Sequence, residues 1–150
     1  MPNYNYIFDS GLQLKDAGAV TTSGQGQVGG SARIVDLGDG DVRGDLVLDV
    51  SAIDTTSADE SYKLILQGSN SASFASGNEG LAFIALGSAT GVQGFNVVGA
   101  ATAAGRYIVS FRNERGGTRY RYVRMQHVPA GTTPSINYVA YLSLGRPAGM

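Results

Sequence analysis

Twenty-two glycines, spread along 150 residues rather than gathered in one linker, constrain this chain more than any other feature. Glycine inside a helix costs about 1 kcal/mol relative to alanine. Accordingly, no apolar pattern at helical spacing lasts three turns without a glycine. Glycine suits tight turns between short strands, and period-2 alternation is plentiful. From Asp45 to Ile53, Leu46, Leu48, Val50 and Ala52 share one face, with Asp49 and Ser51 on the other. Tyr62, Leu64 and Leu66 alternate with Lys63, Ile65 and Gln67. Tyr107, Val109 and Phe111 oppose Arg106, Ser110 and Arg112, and Ile136, Tyr138, Ala140, Leu142 and Leu144 fall on one side of the last run. Further strand candidates are Ile7–Phe8, Leu12–Leu14, Arg33–Leu37, Leu81–Leu86 and Phe95–Val98. Between Arg119 and Val128 the apolar parity changes, which predicts a β-bulge near Tyr122.

About eight to ten short antiparallel strands with Gly-rich turns predict an all-β fold, a sandwich or barrel. The expected architecture is one jelly-roll β-sandwich over residues 1–150, with a short N-terminal arm and flexible loops near 21–31 and 68–80. No repeats of 20–50 residues and no heptads argue for a solenoid, propeller or coiled coil.

What the chain lacks narrows its chemistry. With no cysteine it has neither disulfides nor a thiolate metal site. The start, Met1-Pro2-Asn3-Tyr4-Asn5-Tyr6, has no basic or apolar export region. The longest apolar run, Leu81 to Leu86, is far short of the about 20 residues that span a bilayer, so a soluble chain without membrane contact is expected. The net charge of −1 supplies no field for nucleic acid. The charges are nevertheless uneven. Residues 1–63 hold 10 acidic and 4 basic side chains, a balance of −6, and residues 64–150 hold 2 and 7, a balance of +5. Either the protein meets charged neighbours in a fixed orientation, or its two halves complement each other within one fold.

Catalysis has little to work with. The single histidine, His127, precedes Val128-Pro129 and reads as an ordinary structural or surface residue, since a triad needs two further groups converging on it. Asp36, Asp39, Asp41, Asp45 and Asp49 cluster around Gly38 and Gly40. Calcium is bound by such oxygens, but the EF-hand spacing is absent and a turn held by Asx hydrogen bonds explains the cluster as well. Arg43-Gly44-Asp45 matches a cell-adhesion tripeptide, a string short enough to arise by chance. The densest feature is Arg106, Arg112, Arg115, Arg119, Arg121 and Arg124, six of 11 basic residues, interleaved with Tyr107, Tyr120 and Tyr122. Arg and Tyr together serve single-stranded nucleic acid or protein hot spots, and the net charge favours protein. Arg112, Arg115, Arg119, Tyr120, Arg121, Tyr122 and Arg124 are therefore the candidate protein interface. No catalytic, cofactor or metal residue is nominated, and no cofactor is expected.

Several strings also occur in a familiar order. They are Phe8-Asp9 with Leu12-Gln13-Leu14-Lys15-Asp16-Ala17 and Ala19-Val20-Thr21, then Ile34-Val35-Asp36-Leu37-Gly38 and Leu46-Val47-Leu48-Asp49-Val50. Leu64-Ile65-Leu66-Gln67-Gly68-Ser69 follows with a Ser/Ala-rich loop ending at Phe74, then Arg121-Tyr122-Val123-Arg124-Met125 and Tyr138-Val139-Ala140-Tyr141-Leu142-Ser143-Leu144. The set resembles the small capsid cement proteins of tailed bacteriophages, the family typified by the Bordetella phage cement protein. Val92 to Gly105 departs from that pattern. The resemblance implies a non-enzymatic jelly-roll protein on the outside of the phage head. Its partners would be the major capsid protein and copies of itself, as homodimer or homotrimer, with assembly in the host bacterial cytoplasm. The alternatives are a β-sandwich recognition module for sugar or receptor on a phage tail or surface, and a calcium-dependent binding domain built on the Asp36–Asp49 cluster.

Overall fold

The computed structural model of the protein describes residues 9–87 and 103–144. Among them one turn of 3-10 helix, Ser10–Leu12, is capped by Asp9, whose carboxylate accepts from the Gly11 N–H. Everything regular after it is strand: β1 (Gln13–Lys15), β2 (Ala19–Val20), β3 (Gly24–Gln25), β4 (Gln27–Val28), β5 (Ser31–Ala32), β6 (Val35–Asp36) and β7 (Arg43–Ile53). Then come β8 (Ser61–Ser69), β9 (Glu79–Gly87), β10 (Gly105–Arg112), β11 (Glu114–Arg115), β12 (Thr118–Arg119), β13 (Tyr122–Ala130) and β14 (Ile136–Leu144). The expected strands at Ile7–Phe8 and Phe95–Val98 lie outside the described residues.

All pairings are antiparallel. One sheet runs β1-β14-β7-β10, with β2 also on β14; the other runs β3-β13-β8-β9, with β6 also on β13. β4–β5 and β11–β12 are separate two-stranded ribbons. The alternating apolar faces meet between the two sheets. Leu46, Leu48 and Val50 of β7 join Tyr138, Ala140 and Leu142 of β14 in one core with Tyr62, Leu64 and Leu66 of β8 and Val123 and Met125 of β13. Each large side chain so enclosed contributes about 1.5–3 kcal/mol. The chain is an all-β antiparallel sandwich.

The phase slips lie elsewhere than expected. β13 pairs with β8 from Tyr122 to Ala130 without interruption, so there is no bulge at Tyr122. The parity changes there because Tyr120 belongs to the approach from the β11–β12 ribbon, before the strand starts. The slip in β7 is at Ser51: Asn137 faces Ala52 while Tyr138 faces Val50, leaving Ser51 as the extra residue. Ala52 is consequently exposed, and Ile53 takes its place against the core. A second extra residue, Leu81 in β9, lets both Leu81 and Ala82 be buried. The segment 21–31, expected as a loop, holds β3, β4 and the start of β5. Between β8 and β9 the chain folds back on itself, with Phe74 buried and the Ser69 hydroxyl donating to the Ser76 carbonyl at 2.8 Å.

Candidate protein-binding surface

Arginine after arginine of the basic segment meets a carboxylate of the acidic half, because the strands that carry them are brought side by side. β10 pairs with β7 so that Arg106 faces Asp49. The Arg106 guanidinium donates to both Asp49 oxygens, at 2.7 and 3.0 Å. Arg112, at the end of β10, donates to both oxygens of Asp41 at 3.2 Å and lies 2.9 Å from Glu114. β13 pairs with β6 at Tyr122 and Asp36, and this places Arg121 over the same carboxylate. Arg121 donates to Asp36 at 2.8 and 2.9 Å and to Asp39 at 3.3 Å. Those donors hold the Asp36 carboxyl down to about 2, with help from the Gly38 N–H. Arg112 likewise lowers Asp41.

The acidic cluster is thus spent on arginines and turns. Among the described residues no three acidic or histidine side chains gather to hold a metal ion, so the calcium alternative finds no ligand set there. Arg43-Gly44-Asp45 lies inside β7, between β10 and β14, where a Cβ on Gly44 would collide with the Ser143 carbonyl. Arg43 is exposed but Asp45 is buried, so the tripeptide does not present both charges to a receptor.

The seven nominated residues divide into three groups. Arg112 and Arg121 belong to the ion-pair ladder. Tyr120, Tyr122 and Arg124 are half-buried and serve packing. Tyr120 lies against the core, Arg121 stacks over the Tyr122 ring at 5.4 Å, and Arg124 caps Phe74 at 4.3 Å while donating to Gln67 and Gln25, each at 3.0 Å. Arg115 and Arg119 remain. They flank Gly116 and Gly117, whose φ values of 60° and 83° give the two-residue turn that matches the twist of a hairpin. Both side chains are exposed, and their only polar contacts among the described residues are long ones to carbonyls, 3.5 Å to Leu81 and 3.4 Å to Asp39.

Asn113, which the residue pattern did not single out, anchors this hairpin. It is fully buried; its amide donates to the Gly40 and Tyr120 carbonyls at 2.9 and 3.1 Å and accepts from the Val42 N–H at 2.9 Å. The hairpin base is therefore fixed to the loop before β7 while its tip stands in solvent. An asparagine three residues ahead of a Gly-Gly turn was the only signal available.

No protein-family model matches the chain, and no curated protein matches it in sequence.

His127 on β13 is 5% exposed, with Nδ1 2.8 Å from the Tyr138 hydroxyl. Beside it lies Lys15, 4% exposed, whose ammonium donates to the carbonyls of Asp16, Gly18 and Tyr138 at 2.8, 2.9 and 2.7 Å and rests 4.4 Å over the Tyr138 ring. Burial, and then the Lys15 charge, bring His127 down to about 4, so the ring is neutral near pH 7. Burial raises the Tyr138 hydroxyl out of reach of ionisation. Among the described residues no helix is long and apolar enough to cross a membrane.

Proposed function

We propose that this chain is a structural cement protein with a jelly-roll topology, attached to the outside of a tailed-phage head and strengthening contacts between major capsid subunits. The ordered resemblance is one support. Its strings fall on the framework itself: Leu46–Val50 in β7, Leu64–Ser69 in β8, Tyr122–Met125 in β13 and Tyr138–Leu144 in β14. The sheet order is another. With β3 and β6 counted as one interrupted strand, the eight framework strands run 1-8-3-6 in one sheet and 2-7-4-5 in the other, the order that paired Greek keys produce.

The observation that carries a binding role is the anchored hairpin with Arg115 and Arg119 at its tip. An exposed cation left without a carboxylate, on a ribbon whose base is immobilised, is preorganised for a partner's acidic surface and loses little entropy on docking. The mechanism is added interface: contact across capsomer boundaries raises the barrier to their separation under internal DNA pressure. Particles depleted of the protein should assemble but release DNA at a lower temperature than complete ones. Equal heat stability of the two would remove the cement reading. In this reading the chain also associates with itself as a dimer or trimer, and light scattering at micromolar concentration should show that oligomer.

A further inference from the structure

Five residues along β13 from Tyr122, about 17 Å at strand rise, a cavity of about 590 Å³ opens between His127 and the chain from Lys15 to Gly30. That volume lies within the usual range for small-molecule sites. Its charges are already committed. The three N–H groups of Lys15 are matched by three carbonyls, and the Asp16 carboxylate accepts from the Gly29 N–H at 2.8 Å. The Lys15 and Asp16 charges lie side by side and sum to zero, so an ionic ligand finds no net counter-charge there. Neutral hydrogen-bonding groups remain: the hydroxyls of Thr22 and Ser23, the Gln27 amide and the His127 imidazole.

The imidazole is placed for contact. Its Nδ1 is taken by the Tyr138 hydroxyl, and its Nε2 lies beside Gly24, where an added Cβ would sit 3.4 Å from that nitrogen and touch nothing else within 4 Å. The missing side chain at position 24 keeps this nitrogen open. A neutral imidazole offers a donor or an acceptor there, depending on tautomer, and a ligand hydroxyl satisfies either. The lining includes no Tyr, Phe or Trp that could stack on a ligand.

We propose that this cavity binds a small neutral polyhydroxy compound, a polyol or monosaccharide, through hydrogen bonds centred on His127 Nε2. Affinity without stacking or charge is weak, in the millimolar range. The site is separate from the arginine hairpin, and it stands or falls independently of capsid attachment.

The chain has one histidine, so its ring signals in NMR report on this cavity alone. Intact protein is titrated with glycerol, mannitol, glucose and galactose, and separately with phosphate and acetate. A saturable millimolar shift of the His127 ring with at least one neutral probe, and none with the anions, is expected. Gly24→Ala, whose Cβ meets only the ring nitrogen, should keep the parent's amide spectrum and melting temperature while weakening binding by about tenfold, the loss of one hydrogen bond. The proposal is overturned if no neutral probe shifts the ring saturably, if the anions bind as well as the polyols, or if folded Gly24→Ala binds like the parent.

Discussion

Lys15, 4% exposed, delivers its ammonium to three backbone carbonyls between β1 and β14, whereas Arg121, with 41% of its side chain exposed, delivers its guanidinium to Asp36 and Asp39 in open water. Both cations are fully engaged. In the first region the Tyr138 carbonyl is buried and costs about 1–3 kcal/mol if deprived of its donor, whereas the Asp16 and Gly18 carbonyls border the cavity, where water can replace the lost partner. In the second, water replaces any lost partner at once, and salt screens what remains. A short ion-pair distance therefore says little about stability until burial is known. The exposed ladder orients loops; the enclosed Lys15–Tyr138–His127 group holds β1, β13 and β14 together.

The largest effect should come from Lys15→Met, which keeps the stem but takes the donor from three carbonyls, of which that of Tyr138 is buried. Urea unfolding should show a loss of about 1–3 kcal/mol, most of it from the Tyr138 carbonyl. A loss no greater than that of the exposed arginine variants would break the contrast between the two regions.

Acid should produce a similar effect through His127. Its folded-state pKa of about 4 lies below the ordinary 6.5, so between these values the unfolded chain binds a proton that the folded chain refuses. Stability is then unaffected above pH 6.5 and falls as pH drops towards 4, by about 3 kcal/mol for this shift. His127→Gln should flatten that slope in melting curves taken across the interval, and an unchanged slope would place the acid sensitivity elsewhere.

Arg121→Ala should move the melting temperature only slightly, and less still in molar salt. The Asp36 partner works in the opposite pH range from His127. Its carboxyl is held at about 2 against an ordinary 3.8, so its small contribution is complete above 3.8 and lost as pH falls through 2. A salt-resistant loss comparable to that of Lys15→Met would show that the ladder is not the weak member of the pair.

Arg115→Ala combined with Arg119→Ala should affect stability least, since neither side chain has a carboxylate partner among the described residues. The same double variant should bind cement-free capsids at least about tenfold more weakly, with added salt reproducing part of the loss in the parent. Parent-like binding at every salt concentration would remove the hairpin as the contact and shift attention to the exposed carboxylate of Asp39, 90% accessible.

Period-2 alternation placed the core faces of β8, β10 and β14 correctly, because a strand's side-chain period is a local property of the backbone. It failed at Ala52. A bulge is set by how β14 registers against β7, and nothing in the residues around Ser51 announces it. The basic segment was legible as a concentration of charge, but its division was not. Arg121 and Arg115 look alike in sequence, and only the pairing of β13 with β6 gives one of them Asp36. The same holds for Lys15 and His127, which lie 112 positions apart. The amino-acid sequence by itself determined an all-β chain without thiol chemistry, with acid gathered in one half and base in the other, since composition and period need no knowledge of neighbours. Which charges cancel, which lysine is entombed and which two arginines stand free at a hairpin tip were decided by the tertiary structure alone, because burial and pairing are relations between strands that meet only when the two sheets close.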